Sequence, residues 1–151
     1  MVGDKNVTVN RKAYHDYLIL ERVEAGLVLT GTEIKSIRAG QINIREAYVR
    51  VQNREMWLIN AHIAPYKAGG IYNHEATRHR KLLLHRDQMA DLMESVGQKG
   101  LTIVALRLYI RNHVAKVELG LARGKRQYDK RRAIMDRDLD REAQRALRRA
   151  V

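Results

Sequence analysis

Six histidines, His15, His62, His74, His79, His85 and His113, are the side chains here best suited to hold a metal or move a proton, yet none stands in a ligand spacing such as HExxH. A metal site is therefore not expected. Nucleophiles are scarce: the two serines, Ser36 and Ser95, lie outside any GxSxG turn, and cysteine is absent. No GxGxxG or GxxxxGK[ST] run offers to cradle a nucleotide phosphate. Asp136 and Asp138 flank Arg137, and in an Arg-rich helix that pattern favours intrahelical ion pairs over a nuclease-type metal pair. Neither catalysis nor a cofactor has a candidate.

What remains is binding, and the charge says to what. The 151 residues carry 29 Lys and Arg against 17 Asp and Glu, a net charge of +12. Between Arg123 and Val151 stand 11 of those cations against 5 acids, so one fifth of the chain holds half of the net charge. Lys and Arg displace the counterions condensed on phosphates, which points to nucleic acid, although a merely basic soluble protein has the same composition. Tyr128 lies in the segment KRQYDKR with no apolar neighbour to bury it, so it is either solvent-exposed or stacked on an unpaired base. The absence of cysteine, of an apolar segment in MVGDKNVTVNRK and of any long apolar run leads to the expectation of a cytoplasmic protein away from membranes.

Elements must position these cations. Residues 1–9 lack a usable periodicity and are expected to be loose. Asn10 is placed to cap a short helical turn, after which Leu18, Ile19 and Leu20 start a strand. Gly26 is expected to bend the chain between two short strands. Thr30-Gly-Thr-Glu33 is a capping box, so a helix follows and Gly40 stops it; capping by itself accounts for Glu33. Residues 47–61 read as a hairpin turned at Asn53-Arg54, with Val51 opposite Met56, Val49 opposite Leu58 and Arg50 opposite Trp57. A long, partly mobile loop covers residues 64–80.

Lys81-Leu82-Leu83-Leu84 reads as a short buried strand, and the middle residue of such a triplet usually packs inward, which leaves a purely structural role open for Leu83; Met89, Leu92, Met93 and Val96 follow helical spacing up to Gly97–Gly100. Residues 101–122 form the strongest hairpin signal. A turn at Asn112-His113 sets Leu108 opposite Val117 and Leu106 opposite Leu119 on one face, Tyr109 opposite Lys116 and Arg107 opposite Glu118 on the other. The fold class is accordingly mainly β: a small closed antiparallel barrel of about six strands with two or three short helices over residues 1–122, then a basic tail over 123–151. In the tail, Met135, Leu139, Ala143, Leu147 and Ala150 make a thin helical stripe, expected to fold when phosphates neutralise its charge or else to lie on the body as a surface helix.

The segments NRKAYHDY, EAGLVLTGTEIKSIRAG, NHEATRHRKLLLHR and AKVELGLARGKRQYDKR, in this order between Asn10 and Asp138, resemble the SsrA-binding protein (small protein B) family of bacterial trans-translation. The resemblance implies an oligonucleotide-binding (OB) type of barrel and a partner, transfer-messenger RNA, held by its tRNA-like part. It implies RNA contacts at Glu24, Leu83 and Lys116, with Asn10, Lys12 and Arg38 nearby. It further implies a tail that is disordered when free and helical in the empty messenger channel beside the decoding centre of the small ribosomal subunit. Arg123, Lys125, Arg126, Asp129, Lys130 and Arg131 match the ribosome-contacting stretch, and Tyr128 the base-stacking position, where a Tyr lacks the proton chemistry of a His. Alanyl-tRNA synthetase and elongation factor Tu are implied as proteins acting on the same RNA. A structural ribosomal protein with the same barrel and arm is the competing reading.

Overall fold

The computed structural model describes residues 5–125, 137 and 141–146. Two hairpins dictated by their turns form its frame. Asn53 (φ 53°) and Arg54 (φ 61°) both take left-handed backbone, as a two-residue hairpin turn demands, and join β4 (Tyr48–Gln52) to β5 (Glu55–Ile59). Val51 faces Met56, Val49 faces Leu58 and Arg50 faces Trp57, as the sequence predicts. Asn112 (φ 50°) and His113 (φ 66°) do the same between β8 (Thr102–Arg111) and β9 (Val114–Gly124). Here the predicted register holds for Arg107, Leu108 and Tyr109 and then slips, because Leu106 is extruded in a bulge and Leu119 pairs with Ala105 instead. Gly120 explains the tolerance: a Cβ there would meet Leu106 Cδ1 at 2.8 Å.

Three other segments depart from expectation. Residues Lys5–Val9 are not loose but form β1, antiparallel to β8, with Asn6 opposite Tyr109 and Val9 opposite Arg107. β2 (Tyr17–Leu27) is one strand of 11 residues. Gly26 does not bend it, because it is held between Lys116 of β9 on one side and Leu83 of β7 (Arg80–Leu83) on the other; the irregularity falls between Ile19 and Glu21. In β7 the apolar triplet alternates, with Leu82 buried and Leu83 52% exposed, so Leu83 does not pack inward.

The helices fall where their caps place them. α1 (Arg11–Asp16) is capped by the Asn10 side chain, α2 (Gly31–Arg38) by the reciprocal Thr30–Glu33 box, and α3 (Arg86–Lys99) ends at Gly100 in left-handed conformation, φ 64°. β3 (Ile42–Asn43) and β6 (His62–Ile63) pair separately, and residues 64–79 run as a loop with a 3-10 turn at Gly70–Tyr72. Asn73 ties that loop back on itself through both polar atoms of its amide, which bond the N–H and C=O of Tyr66.

The main sheet is antiparallel with strand order β1-β8-β4-β5-β7-β2-β9, and β8 also pairs with β9. One large core cluster, including Met56, Leu58, Leu82, Ile103, Val117 and Leu119, lies on its inner side, with Leu92, Met89, Met93 and Val96 of α3 packed against it. α1 covers part of the outer side, where Ala13 meets Val104, Leu106 and Ala122. The remainder of that outer side, over β7, β2, β9 and β8, carries polar and exposed residues.

Candidate nucleic-acid interface

Strand register brings three predicted positions from distant parts of the chain onto one surface. Leu83 lies opposite Gly26, Gly26 opposite Lys116, Lys116 opposite Tyr109 and Tyr109 opposite Asn6, a row across five strands. Glu24, two residues before Gly26, points to the same side and heads the next row, Glu24–Glu118–Arg107. Gly26 has no side chain, so Leu83 lies over it, its Cβ 3.4 Å from where a Gly26 Cβ would stand. Exposed Leu83 and half-buried Lys116 thus stand on either side of Gly26. Val114, two residues before Lys116, adds a second exposed aliphatic group.

Next to Lys116 is a charged cluster built around Tyr109. Its hydroxyl donates to Glu24 Oε1, and Arg111 Nη1 reaches both carboxylate oxygens, at 2.8 Å and 3.1 Å. The Arg107 guanidinium stacks 4.2 Å from the centre of the Tyr109 ring, and Arg111 lies 5.5 Å from it. Arg107 is itself fixed by donating to Glu118 Oε2 (3.2 Å) and to the side-chain amide oxygen of Asn6, Oδ1 (2.7 Å). Burial, followed by the bond to Glu24, pushes the Tyr109 phenol well above its ordinary value, so it remains a donor. The sequence pairs Tyr109 with Lys116 and Arg107 with Glu118 as hairpin contacts; what it does not reveal is Arg111, whose reach to β2 depends on how β9 separates the two strands.

β7 is held in place from inside. Arg80 is fully buried; its Nε donates to Glu33 Oε2 at 2.5 Å and its Nη atoms to the carbonyls of Ala61, Ala76 and Glu75. Arg78 donates to Glu33 Oε1 at 2.6 Å. Burial would raise the Glu33 carboxyl, but Arg78, the Thr30 N–H and Arg80 outweigh it and hold it at about 2. Glu33 therefore does more than cap α2: it clamps the strand that presents Leu83.

The remaining predicted residues lie apart from this face. Asn10 is 3% exposed, and its amide donates to the carbonyls of Ile44 (3.0 Å) and Ala105 (2.8 Å) while its oxygen accepts from Ala13 N (3.1 Å). It seats α1 on the sheet. Lys12 pairs with Glu46 at the border of two clefts, one of about 760 Å³ lined by Arg11, His15 and Arg45, the other of about 890 Å³ lined by His15, Arg123 and Lys125. Lys125 donates to Tyr14 O at 3.0 Å, and Arg123 is exposed. Arg38 is exposed at the end of α2. Arg126, Tyr128, Asp129, Lys130 and Arg131 lie outside the described residues. Residues 141–146, including Ala143 of the apolar stripe, are helical and exposed. Among the described residues no helix is long and apolar enough to cross a membrane.

Comparison with known proteins gives this surface a context. A family model described as SmpB protein matches residues 7–149. The SsrA-binding protein of Carboxydothermus hydrogenoformans is 52% identical over 145 residues, covering 96% of this chain and 97% of its own length. That of Shouchella clausii is 54% identical over 144 residues, covering 95% and 92%. A solved structure described as "tmRNA-SmpB: a journey to the center of the bacterial ribosome" contains a chain that is 49% identical, with a TM-score of 0.66, over 78% of this chain and 83% of that one.

Proposed function

The chain belongs to the SmpB protein family, and from that membership we propose that it binds transfer-messenger RNA by its tRNA-like part and delivers it to ribosomes stalled on broken messages. It acts as an adaptor in trans-translation and catalyses nothing. The observation that carries this reading is the convergence of Glu24, Leu83 and Lys116 on one sheet face from three separate segments. A cation, an exposed leucine over a glycine and a braced pair of arginines suit an RNA whose phosphates and unpaired bases lie at the surface.

Several finer points belong to the same proposal. The pairing of β8 with both β4 and β9 supports a closed barrel of the OB type for the body, residues 1–122. The tail, residues 123–151, contributes Arg123, Lys125, Arg126, Tyr128, Asp129, Lys130 and Arg131 to the small subunit and senses an empty messenger channel beside the decoding centre, which permits tagging of the nascent peptide. Lys12 and Arg38 supply outlying phosphate contacts, and Asn10 acts by seating the helix that carries Lys12. Alanyl-tRNA synthetase and elongation factor Tu act on the same RNA, which places the protein in the cytoplasm.

The test is a gel-shift titration of the purified protein against transfer-messenger RNA and a size-matched unrelated RNA at one salt concentration. A clear preference for the former is expected; equal affinity removes the proposal.

A further inference from the structure

Resting on that reading, we propose that Glu24 is a positioning residue which holds Arg111 across the Tyr109 ring, and that Arg111 is the group that meets the RNA phosphate. A glutamate at an RNA surface has two uses. It can accept from a base or ribose donor, or it can fix a neighbouring cation. The geometry selects the second. Oε1 accepts the Tyr109 hydroxyl, and Arg111 Nη1 contacts both oxygens.

The path of Arg111 makes the same point. Its backbone lies opposite Val114, whereas Glu24 lies opposite Glu118, whose other neighbour is Arg107. The row containing Tyr109 and Lys116 stands between them. To reach Glu24 the arginine must lean back over that row, and it lies against the Tyr109 ring as it does so. A long side chain gives up many rotamers to hold such a course, and the carboxylate and ring together compensate. The result is a guanidinium with fixed position and plane, its side chain still 42% exposed, over the row that holds Tyr109 and Lys116. An unpaired carboxylate at this point would repel phosphate; bridged to Arg111, it orients a cation instead.

A double-mutant cycle on the full chain tests the assignment: Glu24→Gln, Arg111→Gln and both together, with the tRNA-like part of transfer-messenger RNA as probe and affinity measured across a salt series. Each single substitution is expected to weaken binding about tenfold, and Arg111→Gln to lower the magnitude of the salt slope by about 0.9. In the Arg111→Gln background, Glu24→Gln should cost nothing further. Tyr109→Phe, which removes only the hydroxyl, should weaken binding about two- to threefold. An equal loss from Glu24→Gln in both backgrounds, or an unchanged salt slope in Arg111→Gln, overturns the assignment. Preference of the unsubstituted protein for this RNA over an unrelated one reports separately on the function, and the cycle is read on whichever RNA binds more tightly.

Discussion

Arg80 and Glu33 meet at 2.5 Å with neither side chain exposed to solvent, which joins the first residue of β7 to the capping residue of α2. Glu33, which Arg78 also contacts, supplies the counter-charge that makes Arg80 tolerable inside the protein. Glu33→Gln leaves Arg80 buried without its counter-charge and should destabilise the fold by about 3–5 kcal/mol, measured by urea unfolding. RNA affinity should fall as well, since β7 carries Leu83.

The same carboxyl sets a pH dependence. It is held at about 2 in the folded protein against an ordinary 4.5, so the unfolded chain takes up its proton first. Its contribution is complete above pH 4.5 and is lost as pH falls from there through 2. Unfolding titrations should show stability declining in that window, and Glu33→Gln should flatten this part of the curve.

Leu83 should separate binding from stability. As an exposed residue over Gly26 it contributes little to the core, so Leu83→Ser should change unfolding free energy by no more than about 0.5 kcal/mol. Affinity for transfer-messenger RNA should fall roughly tenfold. A large fall in stability with unchanged affinity would show that the leucine serves the fold.

At Asn10 the opposite is expected. Replacement by Ala strands two buried carbonyls and the Ala13 N–H, a loss of about 2–4 kcal/mol, visible as a lowered melting temperature. Lys12→Ala breaks only a surface pair with Glu46 and should cost no more than about 1 kcal/mol.

Removal of Lys125 to Val151 should leave RNA binding by the sheet face largely intact, because the Glu24, Leu83 and Lys116 positions lie outside the deleted stretch. Peptide tagging on stalled ribosomes should disappear. Gel shifts and a reconstituted tagging assay check the two halves, and lost RNA binding would show that the labour is divided differently.

The sequence discloses most where structure is local. Asn53-Arg54 and Asn112-His113 set their hairpins because two consecutive left-handed residues leave one register open. The Thr30–Glu33 box and Asn10 cap announce α2 and α1 through contacts three residues long. What depends on distant partners is hidden. KNVTV is too short to announce β1, whose mate lies in β8. The Leu106 bulge breaks an alternation that otherwise looks perfect, and its cause is the space above Gly120.

The site follows the same division. Family resemblance singles out Glu24, Leu83 and Lys116, and register brings them onto one face. For Leu83 the apolar triplet leaves inward packing and surface exposure both open, and strand alternation decides for exposure by burying Leu82. Arg111 escapes notice because its importance comes from leaning over an intervening row, a fact that no spacing in one strand encodes.

The bond from Asn10 to Ala105 spans 95 positions, and β1 pairs with residues nearer still to the carboxyl end. During synthesis the opening strand must wait, unpaired, until two thirds of the polypeptide has been made. Its KNVTV edge is then open to mispairing for seconds at ordinary elongation rates. A chain that stops short of residue 105 therefore lacks both the α1 anchor and the β8 and β9 strands that complete the Glu24–Lys116 face.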